Sequence, residues 1–162
     1  MYYCRTFDNV VYELSPERVN ALYKIDLPSP LPFSKIKDKA NEWDLIKSEY
    51  SIGLEKIYRC GSLLYFQFSK DGFLQLGLYD LARKKQIYCG RRLADKAGRA
   101  VPVFRLIDGV YKDGFWGVIT PETVDYALSE EPGKDYPDIF RNYNPDTDNP
   151  IIAFYNVIGG LH

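Results

Sequence analysis

The run from Ile52 to Gly90, IGLEKIYRCGSLLYFQFSKDGFLQLGLYDLARKKQIYCG, constrains the fold more than any other stretch of the chain. β-Branched and aromatic residues fill it in four bursts, and short turn signals separate the bursts. Gly61-Ser62 and Asp71-Gly72 are turn pairs. The second is the strongest hairpin cue in the chain, because Asp and Gly both tolerate the left-handed backbone of a tight turn. Arg83-Lys84-Lys85 makes a charged outer turn that discourages edge pairing. Leu74, Leu76 and Leu78 alternate with Phe73, Gln75 and Gly77, so apolar side chains fall on both faces. The stretch predicts an antiparallel sheet of four strands that is covered on both sides.

The flanks carry parts of the same pattern. Tyr2–Phe7, Val10–Leu14 and Ala21–Leu27 are expected strands, separated by turns at Asp8–Asn9 and Ser15–Asn20, with Pro16 at the second position of the latter. VVYELSPERVNALYKI lines up with LGLYDLARKKQIYC. The Tyr12-Glu13-Leu14 and Tyr79-Asp80-Leu81 triplets lie 67 residues apart. That interval exceeds one four-stranded sheet, and the surplus is an insertion, Pro28–Tyr50. LPSPLP is extended. Ser34 then caps a helix through about Glu49, with Ile36, Ala40, Trp43 and Ile46 on one face and Lys35, Lys37, Asp38, Lys39 and Glu42 on the wet one.

Downstream, Gly90–Pro102 reads as a connection carrying Arg91, Arg92, Lys96 and Arg99. Val103–Tyr111 and Phe115–Thr120 form a strand pair around Asp113-Gly114. Thr120-Pro121-Glu122 starts a helix that runs to about Glu130 and ends before Pro132-Gly133. Lys134–Asn149 is a long loop, and Ile151–Ile158 is the final strand.

Composition narrows the function classes. At 162 residues, 46% hydrophobic and 27% charged, the chain has material for one domain with a sizeable core. No apolar run approaches the roughly 20 residues that cross a bilayer as a helix. With 21 basic and 22 acidic residues, the basic excess of a nucleic-acid binder is missing. Fourteen Tyr and nine Phe are sheet-packing material first, and a sugar- or base-stacking platform second. Cys4, Cys60 and Cys89 have no metal-ligand spacing and read as inert thiols. A Cys60–Cys89 bridge would join the first and last strands of one sheet, too far apart for disulfide geometry. The lone histidine is His162, which disfavours Ser-His-Asp and Cys-His catalysis. The acids lack the spacing of a catalytic carboxylate pair, and Asp146–Asn149 lacks the Gly and distal Glu of a calcium loop. No cofactor or metal is expected.

FDNVVYEL followed by ALYKIDLPSPLP, the unit FQFSKDGFLQLGLYDL and the closing DNPIIAFYNV together resemble the bacterial six-bladed β-propeller proteins, TolB-like or NHL-like, many of them surface lipoproteins of unassigned activity. The resemblance implies an all-β fold: a partial propeller of about two and a half four-stranded antiparallel blades, with two short helices in loop insertions. Residues 1–27 would be an incomplete blade, 28–50 the helical insertion, 51–90 a complete blade, and 91–162 the last blade with an insertion at 121–149. It also implies a C-terminal portion of a longer extracytoplasmic protein, periplasmic or on the cell surface. MYYCRTFDNVVYEL has no signal-peptide pattern, which leaves the anchoring of such proteins without a counterpart in this sequence. Exposed blade faces would then favour self-association.

In such a topology the long connections 28–50, 90–102 and 121–149 would decorate one end of the blades. Function concentrates on loops held by a rigid scaffold. The expectation is a non-catalytic binding module for a protein or a glycan, using Trp43, Arg91, Arg92, Lys96, Arg99, Tyr136 and Tyr143. The alternatives are a propeller-type hydrolase or lyase, and a purely structural scaffold.

Overall fold

The computed structural model describes residues 2–5, 7–37, 45, 49–91, 93–102 and 107–156. The chain divides into two compact units, Met1–Gly90 and Arg91–His162. The division falls where the sequence places the end of its four-stranded stretch.

The first unit holds two antiparallel sheets. Strands β1 (Tyr2–Tyr3), β2 (Val10–Leu14) and β3 (Val19–Lys24) pair in chain order. Strands β4 (Ser51–Cys60), β5 (Leu63–Lys70), β6 (Phe73–Asp80) and β7 (Lys85–Gly90) form the second sheet, also in chain order. The four expected strands are all present, and the turns are the ones the residues demand. Asp71 and Gly72 take φ 54° and 76°, both left-handed, and Gly61 takes φ 57°. The Asp80 carboxylate accepts the backbone N–H groups of Ala82 at 2.9 Å and Arg83 at 3.1 Å, which shapes the turn into β7. Cys60 and Cys89 sit on β4 and β7 with two strands between them, and neither is in a disulfide.

Cross-strand pairs set the faces. Leu64 opposite Tyr79, Phe66 opposite Gly77 and Phe68 opposite Gln75 share one face. Leu64, Phe66 and Phe68 form a core with Val11 of the first sheet, Leu27 and Leu54. Burying each of these side chains contributes roughly 1.5–3 kcal/mol. The opposite face is covered too. Tyr65, Gln67 and Leu76 are buried, and Gln67 Nε2 donates to the Tyr65 hydroxyl. A buried amide is tolerated because it is hydrogen-bonded.

Several boundaries differ from expectation. β1 ends at Tyr3, because Asp8 N–H closes onto the Arg5 carbonyl and Phe7 takes φ 64°. β3 starts earlier than expected because the turn before it shrinks to four residues, with Ser15 N–H on the Arg18 carbonyl and Arg18 N–H on Ser15 Oγ. The LPSPLP segment is extended and docks on β4: Ser51 N–H reaches the Ser29 carbonyl, and Leu31 N–H reaches the Ser51 carbonyl. Helix α1 covers Phe33–Lys37, one residue ahead of the expected cap Ser34. The remainder of the expected helix lies outside the described residues apart from Leu45 and Glu49.

The second unit pairs β8 (Leu93–Ala94) with β9 (Ala100–Val101) and arranges β10 (Gly109–Tyr111), β11 (Gly114–Ile119) and β12 (Ile151–Tyr155) in chain order. Between β11 and β12 lie α2 (Pro121–Glu130) and α3 (Asp138–Arg141). The expected start of α2 holds: Thr120 caps Thr123 N–H through its side chain, and Pro121 opens the helix. The expected plain connection 90–102 instead contains the β8–β9 hairpin, because Asp95 accepts the N–H groups of Ala97 and Arg99. The expected loop 134–149 contains α3. The turn read at Asp113-Gly114 falls at Lys112-Asp113, with Tyr111 paired to Gly114. Lys112 supplies the positive φ, and Gly114 serves close approach, since a Cβ there would stand 2.6 Å from the Tyr155 carbonyl oxygen. Ile119, Val124, Tyr136 and Phe140 form the core of this unit.

Candidate functional site

Of the loop residues expected to bind a ligand, Arg91, Lys96, Arg99, Tyr136 and Tyr143 are among the described ones. Trp43 and Arg92 lie outside the described residues. Arg91 and Lys96 are exposed. Arg99 is committed to Asp95, with Nε at 2.9 Å and Nη2 at 2.7 Å from one carboxylate oxygen. That contact holds Asp95 below the ordinary carboxylate range and raises Arg99.

Tyr136 is corrected from a surface residue to a core residue. It is 4% exposed, and its hydroxyl donates to the Ala127 carbonyl at 3.1 Å. Tyr143 donates to the Asp148 and Asn149 carbonyls, and burial followed by the Asp148 and Glu122 charges raises its pKa. The Asp146–Asn149 tail closes on itself, with Asp148 Oδ2 accepting Asn144 N–H at 2.8 Å. Arg141 pairs with Asp135, and Ala100 N–H donates to the Asp135 carbonyl at 2.7 Å. Arg99 and Arg141 are thus each paired with an acid within the second unit.

A better-formed recess lies in the first unit, where β3 and the strap after it face the β5–β6–β7 sheet. It is a cleft of about 480 Å³, within the size range of small-ligand sites. Leu64, Phe66 and Phe68 line it from β5, Tyr79 from β6 and Leu81 from the turn that follows. Leu22 and Lys24 of β3, with Ile25, Asp26 and Leu27, form the other wall. Gln86 and Cys89 on β7 complete the lining.

The hollow has a local cause. Gly77 pairs with Cys89, two small residues side by side on the face that carries Phe66. The Phe66 ring folds over Gly77, leaving Cys89 at the cleft wall with only its thiol. Cys89 is exposed, desolvation raises its pKa, and Lys70 opposes that shift. By contrast, Cys4 belongs to the packed region, and burial pushes its pKa up to about 11.

Chemically the cleft offers burial and dispersion, with Lys24, Asp26 and Gln86 to orient a ligand. Among the described residues, no group of three His, Cys, Asp or Glu side chains is placed to hold a metal ion. Sequence reasoning missed this site because it looked for function in long loops. The signal was two small residues, Gly77 on β6 and Cys89 on β7, beside the Leu-Phe face of β5.

No family model matches the sequence, and no curated protein does. Among solved structures the chain is similar to a crystal structure of a predicted exported protein from Bacteroides fragilis, with a TM-score of 0.66 and 16% identity. The match covers 95% of this chain and 48% of that one, so this chain spans about half the length of its structural neighbour. The two share a fold. It is an all-β arrangement of antiparallel sheets.

Proposed function

We propose that the protein is a non-catalytic binding module that takes a ligand with an apolar body into the cleft of its first unit. The observation that carries this is the cleft itself: a 480 Å³ recess floored by Leu64, Phe66 and Phe68 and rimmed by Lys24, Asp26 and Gln86. Apolar walls with a few polar groups are the usual make-up of a binding site.

The scaffold is read as part of a β-propeller-type fold. Support comes from the up-and-down order β4-β5-β6-β7 and from the packing of the β1–β3 sheet on one face of the next sheet. The working compartment is read as extracytoplasmic, with surface display as a lipoprotein the finer form of that reading. Its support is the likeness to a predicted exported protein. Among the described residues no helix is long and apolar enough to cross a membrane.

Cys89 makes the cleft testable, since it is the exposed thiol in the lining. Anilinonaphthalene sulfonate, an apolar fluorescent anion, should slow alkylation of Cys89 by iodoacetamide. Leu22→Arg, at the exposed rim, should remove that protection while the circular dichroism spectrum stays unchanged. Alkylation of Cys89 at the same rate with and without the dye would refute the cleft as a binding site.

A further inference from the structure

The cleft wall supplied by β3 and the strap after it is lined by residues 22–28 without a gap. Successive side chains of an extended chain point to opposite sides, so a recess on one face would be lined by every second residue. The recess therefore runs along the edge of the strand. Exposure alternates in step. Leu22, Lys24 and Asp26 are exposed, Tyr23 and Ile25 are half-buried against the core, and Leu27 is buried.

That edge carries a row of backbone groups. β3 is an outer strand, paired with β2 and, among the described residues, with no strand on its other side. Its ladder to β2 continues past Lys24, because Ile25 N–H donates to the Asn9 carbonyl at 2.9 Å and the Asn9 side-chain amide donates to the Ile25 carbonyl at 3.0 Å. Backbone groups alternate in direction along a strand, so the N–H and C=O groups of Lys24 and Asp26 face the open edge.

We infer, on the reading of the cleft as a binding site, that its occupant is an extended peptide segment of another protein, which adds an antiparallel strand to β3. A small apolar molecule would fill the hollow beside Gly77 and Cys89 and leave the edge bare. A peptide takes up both. The charges on the edge set its sequence. Residues opposite one another across a ladder share a sheet face, so an acidic residue suits the place opposite Lys24 and a basic one the place opposite Asp26. The residue between them falls on the side of Ile25, where an apolar side chain enters the hollow lined by Phe66, Phe68 and Cys89. Read from its N-terminus, the segment is basic, apolar, acidic.

Blocked peptides with a Lys-Leu-Glu core flanked by threonines, titrated into the whole chain, provide the test. Calorimetry reads affinity, and protection of Cys89 from iodoacetamide reads position. The Lys-Leu-Glu peptide should bind and protect, and Glu-Leu-Lys should bind at least about threefold more weakly. Methylation of the Glu amide nitrogen, which faces β3, should cost at least about fivefold in affinity. Methylation of the Leu amide nitrogen, which faces away, should be tolerated. Asp26→Lys, an exposed substitution, should turn the preference to Glu-Leu-Glu. A Lys-Leu-Glu peptide that does not bind overturns the inference, as do equal losses from the two methylations or indifference to charge order. Protection of Cys89 by anilinonaphthalene sulfonate but not by the peptide removes the added strand and leaves the cleft as a binding site.

Discussion

Gly77→Ala isolates the contact that shapes both the second sheet and its cleft. A Cβ at this position would stand 2.2 Å from Phe66 Cζ, 2.3 Å from Cε2 and 2.7 Å from Cε1. Ordinary contact begins near 3.4 Å, so the ring must recede by more than an ångström. The ring is held where it stacks on Phe68, with centroids 6.2 Å apart, and can recede only by giving up that contact or entering the cleft. Overpacking of this kind costs about 1–3 kcal/mol. Replacing glycine inside a strand returns roughly 0.5–1 kcal/mol through the unfolded chain. The expected net loss is about 0–2.5 kcal/mol, the difference between those two effects.

Phe66→Leu removes all three clashing atoms, because leucine has no counterpart of Cζ or either Cε. In that background Gly77→Ala should become neutral or stabilising by up to about 1 kcal/mol. Urea unfolding followed by circular dichroism, run on the four proteins of the cycle, reads the coupling. An equal penalty in both backgrounds would show that the ring is not what the new methyl group meets, and the reasoning would fail.

Two further outcomes follow from the polar groups. Tyr155 lies largely buried, and its hydroxyl has no hydrogen-bond partner among the described residues; burial first, and the Asp108 charge second, raise its pKa. Tyr155→Phe should therefore be neutral or stabilising by up to about 1 kcal/mol in thermal unfolding, and a clear loss would reveal a partner for the hydroxyl. Asp80 is held below its ordinary 3.8 chiefly by the Arg83 backbone N–H, aided by Ala82 N–H, Ser62 and the Arg83 charge. A carboxylate depressed in the folded state adds stability above pH 3.8, lost as pH falls through the lower folded value. Asp80→Asn should lower stability at pH 7 and flatten its decline below pH 4; an unchanged acid slope would contradict the assignment.

The second sheet was legible because its information is local. Gly61-Ser62 and Asp71-Gly72 specify two-residue turns, and the runs between them have strand length. The Thr120-Pro121-Glu122 start was legible for the same reason, since capping is written within four residues. The β8–β9 hairpin was not, because it depends on one Asp95 carboxylate that gathers two N–H groups in a stretch reading only as basic. Tyr136 was misplaced because polar neighbours such as Asp135 and Asp138 dominate the local pattern, while its burial comes from Val124 and Ile119. The cleft was illegible for a related reason: it lies between β3 and β5–β7, and the register that sets Gly77 beside Cys89 is no property of either segment alone.

The core of the first unit has a consequence for the order in which the chain can fold. β4 to β7 pair only with sequence neighbours through short turns, so the meander closes few long loops and can form quickly. The β1–β3 sheet leaves the ribosome earlier, yet Val11 acquires its apolar partners only when Leu64, Phe66 and Phe68 have emerged and paired. These earlier strands are therefore held open during synthesis, waiting for a platform translated some fifty residues later. That interval is when Tyr2, Cys4 and Val11 are open to capture by chaperones or by another nascent chain.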